Sequence, residues 1–139
     1  MAFDFSGFRK AAAAAAILGA AFAFTGCGDQ TPEGVAVEFS KAGYEGDLDK
    51  FYDCLDTVQM KGVSKSEVTG KLQPMLEEEK RKVADQGGIK EIKSIRSVST
   101  ESGSHMLVTV RASFGNGKTE EHKVYLNKTS KGDWKVELR

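Results

Sequence analysis

Tyr44, Tyr52, Asp53, Asp56, His122 and Tyr125 are the side chains best suited to proton transfer. A carboxylate or imidazole can take a proton from a carbon acid while a Tyr, or a neutral acid, donates a hydrogen bond to the developing oxyanion. Tyr52 falls on the apolar stripe of a predicted helix, Asp56 near that helix's end, and His122 on the inward side of a predicted strand. Tyr52, Asp56, His122, Phe39 and Trp134 form the candidate pocket. Each also fits an ordinary role: a core Tyr with its hydroxyl at the rim, a turn Asp, a satisfied His. The ordinary roles are the stronger reading, so no catalytic residue is assigned. Other chemistries have less behind them. His105 and His122 lie on separate strands with no Cys or His at ligand spacing, so no metal is expected. Gly115-Asn116-Gly117 reads as a hairpin tip, not a phosphate cradle, and no Ser-nucleophile signature occurs. No cofactor is expected.

Cys27 points to a different chemistry. Arg9-Lys10 precede an uncharged run of 14 residues, Ala11 to Phe24. That is short of the roughly 20 residues a membrane-spanning helix needs and fits the central region of an export signal. Thr25, Gly26 and Cys27 then resemble the bacterial lipobox, with Phe24 where Leu is usual. This implies a signal peptide over residues 1–26, cleavage between Gly26 and Cys27, and acylation of the Cys27 sulfur. Residues 27–31 become the acylated Cys and a short tether, and 32–139 one domain. The expected partner is thus the membrane, through lipid on Cys27, and the expected address is the bacterial cell envelope outside the cytoplasm. Gly28 after the cysteine resembles the enterobacterial pattern that sends lipoproteins to the outer membrane.

Cysteine arithmetic allows one disulfide, Cys27 to Cys54. If Cys27 carries lipid through sulfur, Cys54 is left single, and its helical spacing among apolar residues suits a small buried hydrophobe. Charge is balanced at 20 Lys+Arg against 20 Asp+Glu, and removing residues 1–26 leaves 18 against 19. No basic surplus exists to displace counterions, so no nucleic acid is expected as partner.

These groups must be positioned by regular elements, and the pattern predicts them. Thr31-Pro32-Glu33 is a helix start, and Val35, Phe39 and Ala42 lie on one face before Gly43 and Gly46. Asp47 caps a second helix with Leu48, Phe51, Tyr52 and Leu55 as its stripe. Ser64 and Glu67 have capping-box spacing for a third, whose stripe runs Val68, Leu72, Leu76, Glu79, Val83, with Met75 beside it. Pro74 inside it predicts a kink or break. Gly87-Gly88 is a stop. From Ile89 the period becomes β, first in an ambiguous register. Met106, Val108, Val110, Ala112 and Phe114 then alternate cleanly, Asn116-Gly117 marks a tight hairpin, and His122, Val124 and Leu126 face inward on the return strand. After Gly132, Trp134, Val136 and Leu138 alternate with Lys135, Glu137 and Arg139. The class is α+β: three N-terminal helices packed on a curved four-stranded antiparallel meander.

Val108-Thr109-Val110, Phe114 to Lys118, Gly132 to Val136, Pro32…Val35-Ala36…Phe39 and Gly46-Asp47-Leu48 resemble bacterial lipoprotein domains of unknown function in the nuclear-transport-factor-2-like (NTF2-like, cystatin-like cone) superfamily. The resemblance implies a cone with a pocket at its mouth. Members include isomerase-like enzymes, dehydratases, ligand-binding domains and interaction subunits, so fold alone does not choose. The leading expectation is a non-catalytic envelope lipoprotein binding a small hydrophobic ligand or an envelope protein. One alternative is an isomerase- or dehydratase-like enzyme using Tyr52 with Asp56 or His122. Another is a homodimerising module whose interface is the outer sheet face at Tyr125, Leu107 and Thr109.

Overall fold

The structure, a computed structural model, describes residues 31–60, 62–100 and 103–138, without the side chain of Gln59. The signal peptide expected at residues 1–26, the cleavage site at Gly26-Cys27 and all of the expected 27–31 tether except Thr31 lie outside the described residues.

Helix α1 spans Pro32–Glu45. Thr31 Oγ1 accepts from the Gly34 N–H at 3.0 Å, and Pro32 supplies a preset φ where an N–H would have no partner. The helix continues through Gly43 and stops at Gly46, whose φ of 73° lies in the left-handed region that favours glycine. Asp47 then caps α2 (Leu48–Cys54), its carboxylate accepting from the Lys50 N–H at 3.1 Å. A 3₁₀ turn at Thr57–Met60 leads to α3 (Lys65–Asp85), which opens on a complete Ser64/Glu67 capping box.

Pro74 neither breaks nor divides α3, contrary to the sequence expectation. The lost hydrogen bond would run to the carbonyl of Gly70, and both residues are exposed, so water can satisfy that carbonyl. Leu72 and Leu76, on either side of the proline, are both buried and hold the two halves of the helix to one core.

The sheet is a meander in the order β1 (Ile89–Thr100), β2 (His105–Phe114), β3 (Thr119–Lys128), β4 (Trp134–Glu137), all neighbours antiparallel. Two register shifts, between Ile89 and Glu91 and between Ser94 and Arg96, explain why the first strand had no readable alternation. Each extra residue flips the parity of those after it and bends the strand. On β2 the alternation is as expected, with Val108, Val110, Ala112 and Phe114 buried to 1% exposure or less. Leu138 departs from it: it lies past the end of β4 and is exposed.

The Gly115–Lys118 hairpin docks on the Gly87-Gly88 turn, with the Gly115 N–H donating to Gly88 O at 2.9 Å and the Asn116 N–H to Gln86 O at 2.8 Å. A Cβ at Gly115 would sit 2.4 Å from Gly87 O, so the approach requires glycine there. The main core lies between the helices and the sheet and joins Val35, Ala36, Phe51, Leu55, Leu72 and Leu76 to Val108, Val110, Val124, Leu126 and Val136. Each of the Val, Leu and Phe side chains among them contributes about 1.5–3 kcal/mol on burial.

Cys54 is fully buried but is disulfide-bonded, which corrects the expectation that it stands as a single thiol. The sequence has one other cysteine, Cys27. Among the described residues, no helix is long and apolar enough to cross a membrane.

Candidate functional site

Ser40 and Tyr44 are one turn apart on α1, and Glu120 and His122 share one face of β3 two residues apart. Packing α1 across the start of β3 brings the four together. His122 Nε2 lies 2.8 Å from Ser40 Oγ, and Nδ1 lies 3.3 Å from the Tyr44 hydroxyl. The Tyr44 hydroxyl donates to Glu120 Oε1 at 2.8 Å. Ser40 in turn donates to the Ala36 carbonyl at 2.8 Å, so its oxygen is the acceptor for an Nε2–H of neutral His122. The Tyr44 ring is held edge-on by Phe114, with centroids 5.7 Å apart.

This cluster forms one side of a pocket of about 300 Å³. Much of the remaining lining is apolar: Phe39 and Phe51 stack with centroids 4.3 Å apart, and Met75 and Leu76 come from α3. A Cβ at Gly43 would lie 3.3 Å from the Phe51 ring, so the small residue leaves that ring room against α1. Glu79 and Glu121 complete the lining, and Glu121 is held by Arg111 at 2.8 Å.

Burial sets the protonation of the two central groups. It lowers the affinity of His122 for a proton, and the Glu120 charge only partly opposes this. The ring is therefore neutral near neutrality. Burial also pushes the Tyr44 phenol far up, and its hydrogen bond to Glu120 and the charges of Glu120 and Glu79 act in the same direction. Tyr44 thus remains a hydrogen-bond donor at any ordinary pH.

Of the expected pocket residues, the structure brings together His122 and Phe39. Tyr52, Asp56 and Trp134 are elsewhere, and the expected pairing of His122 with Tyr52 or Asp56 does not form. Asp56 is 8% exposed at the opposite end of the sheet, where its carboxylate accepts from Asn127 Nδ2 at 2.8 Å and the Val58 N–H at 3.2 Å. Its own N–H donates to Val136 O at 2.8 Å. Asp56 is thus a clamp between the end of α2 and the last two strands. Tyr52 lines a separate shallow hollow with Asp56 and Lys135, and the Lys65 ammonium lies 5.1 Å above its ring. Trp134 packs on the core beneath Lys128. On the outer sheet face Leu107 pairs with Tyr125 and Thr109 with Lys123, so the three expected interface residues share one half-buried surface.

Ser40, Glu79 and Glu120 were not among the expected site residues, and Tyr44 was named only as an available group. A signal exists for Ser40, Tyr44 and Glu79, though not for Glu120. Ala36, Ser40 and Tyr44 recur every four residues along α1, and Glu79 interrupts the apolar stripe of α3. Among the described residues no three His, Cys, Asp or Glu side chains are grouped to hold a metal ion.

The family model for a domain of unknown function, DUF4878, matches residues 25–137. Among solved structures, the chain is similar to the crystal structure of a "Putative NTF2-like transpeptidase" from Campylobacter jejuni. The identity is 24% and the TM-score 0.66, over 76% of this chain and 95% of that one. That likeness shows the NTF2-like α+β fold. The intermembrane space region of the chloroplast protein ARC6 also matches, at 11% identity and a TM-score of 0.34, over 74% of this chain and 90% of that one; so low a score carries no argument. No curated protein matches.

Proposed function

Because the chain belongs to the DUF4878 family, whose description names no activity, we propose its function from its own pocket: non-catalytic binding of a small amphiphilic molecule by an exported, lipid-anchored domain. The observation that carries this reading is the two-sided lining of the pocket. An apolar ligand body fits the stacked Phe39 and Phe51, and a polar end fits the Tyr44–His122–Glu120 side. Binding suits this arrangement better than catalysis. The neighbour's name suggests acyl transfer, which needs an exposed, activated nucleophile. Ser40 is the hydroxyl beside His122, but it is 5% exposed and its proton is given to Ala36 O. Tyr44 keeps its proton, so it cannot serve as a base.

Anchoring rests on the sequence from Arg9 to Cys27. A second reading, favoured by the disulfide-bonded state of Cys54, is an exported protein without lipid. The two exclude each other if Cys27 is the partner, because one sulfur cannot be both thioether and disulfide.

Native mass spectrometry of the protein purified from its own host's envelope tests both parts. A diacylglyceryl mass on the chain beginning at Cys27, lost in Cys27→Ser, is the expected result for anchoring. An unlipidated chain that gains two hydrogens on reduction would establish the second reading instead. Excess mass that leaves on denaturation, absent from Phe39→Ala, is expected for a retained ligand. A bare mass that stays bare after incubation with amphiphiles would overturn the binding reading, and a bare dimer would move the function to the face at Tyr125, Leu107 and Thr109.

A further inference from the structure

The polar side of the pocket carries an unbalanced charge. Its lining holds Glu79, Glu120 and Glu121 and no Lys or Arg. Glu121 is neutralised by Arg111. Glu120 receives a hydrogen bond from the uncharged Tyr44, and Glu79 makes no hydrogen bond or ion pair among the described residues. His122 is kept neutral by burial and adds no positive charge. Lys80, the nearest lysine along α3, lays its stem against Gly46 and is not part of the lining.

The apolar lining suits the same partner. The stacked Phe39 and Phe51 offer an aromatic surface to an apolar ligand body, leaving the charged end to the carboxylates. An anionic head would meet two carboxylates with no compensating donor beyond Tyr44, whose proton is already given to Glu120.

Resting on the binding reading above, we propose that the ligand's polar end is a cationic nitrogen. An alkyl- or arylammonium group sits at Glu120 and Glu79 while its apolar body lies on Phe39 and Phe51. Glu120 is exposed and Glu79 half-buried, so both remain hydrated in the empty pocket and can receive the cation without a large desolvation cost. Tyr44 is a positioning residue here, because its hydroxyl fixes the Glu120 carboxylate.

Three probes of one skeleton test this: 4-phenylbutylammonium, 4-phenylbutanol and 4-phenylbutanoate, titrated into the full chain at pH 7 and followed by ligand-observed NMR. The ammonium probe is expected to bind roughly tenfold tighter than the alcohol, with the carboxylate weakest. Raising the salt from low to high should shrink the gap between ammonium and alcohol, as screened surface charges require. Glu120→Gln and Glu79→Gln should each reduce the preference severalfold. The double variant should bind ammonium and alcohol alike, whereas Glu91→Gln, a carboxylate outside the pocket, should change nothing. Equal binding of all three probes to the unaltered chain would overturn the cation assignment and leave the amphiphile pocket standing. A preference equally reduced by Glu91→Gln would overturn it too, as non-specific charge. No binding of any probe would overturn both.

Discussion

Strand β3 carries a buried polar cluster at each end, and the two behave differently. At Asn127 the cluster is closed around Asp56, which uses one carboxylate oxygen for Asn127 and the other for the Val58 N–H, tying α2 to the sheet, while Asn127 Oδ1 is buried with no partner among the described residues. At His122 the cluster is open: His122 is hydrogen-bonded to Ser40, Tyr44 gives its proton to Glu120, and all four residues border a pocket. Both ends place hydrogen-bonded polar groups against the core. Asp56 also borders a hollow, of about 230 Å³, but only at the second end do stacked aromatic rings, Phe39 and Phe51, share the lining with the polar groups. Buried polar side chains alone therefore do not mark a site; polar groups that share a cavity with a large apolar surface do.

Substitutions should separate the two ends. The largest effect is expected at the closed one. Asp56→Ala leaves Asn127 Nδ2 and the Val58 N–H without their acceptor where the carboxylate itself is buried, which should cost about 2 kcal/mol. Urea unfolding would show this as a lowered midpoint, with probe affinity at the pocket unchanged. A loss below about 0.5 kcal/mol would mean that Asp56 is no clamp and that the distinction between the ends fails. Tyr44→Phe should do the reverse. The ring keeps its edge contact with Phe114, and Glu120 is open to water, so stability should fall by less than about 1 kcal/mol. Affinity for the ammonium probe should drop severalfold because Glu120 is no longer oriented. A drop in stability without one in affinity would make the open end a second clamp.

The smallest effect concerns pH. Burial lowers the His122 pKa below its ordinary value near 6.5, so the unfolded chain takes up this proton before the folded one does. The stability linked to His122 is fully present above about pH 6.5 and is lost as pH falls from there toward the folded-state pKa. Urea titrations at pH 7 and pH 5 should show a smaller acid-induced loss in His122→Gln than in the unaltered chain. An equal loss in both would mean that the open end stays hydrated enough for His122 to titrate normally.

The elements were largely legible in the sequence because their signals are local. The Thr31 cap, the Ser64/Glu67 box, the Asn116-Gly117 hairpin and the β2 alternation each involve residues within a few positions of one another. The failures have equally specific causes. Pro74 was read by its local cost, but packing of Leu72 and Leu76 on one core outweighs a single exposed hydrogen bond. The first strand hid its register behind two bulges. Tyr52 was assigned to the pocket by its place on an apolar stripe, which shows that a residue faces inward but not which end of the core it faces.

The sequence by itself determined three helices, a four-stranded meander, the inward face of each regular strand and the NTF2-like resemblance, because period, caps and turns act over one or two turns of chain. It also placed His122 on the inner face of its strand and Phe39 on the apolar face of α1. Only the tertiary structure decided the company they keep. Ser40 and His122 are 82 residues apart and Tyr44 and Glu120 are 76 apart, so no local pattern encodes their meeting. The crossing of α1 over the start of β3, fixed by the whole core, sets those distances and sends Asp56 and Trp134 to the other end.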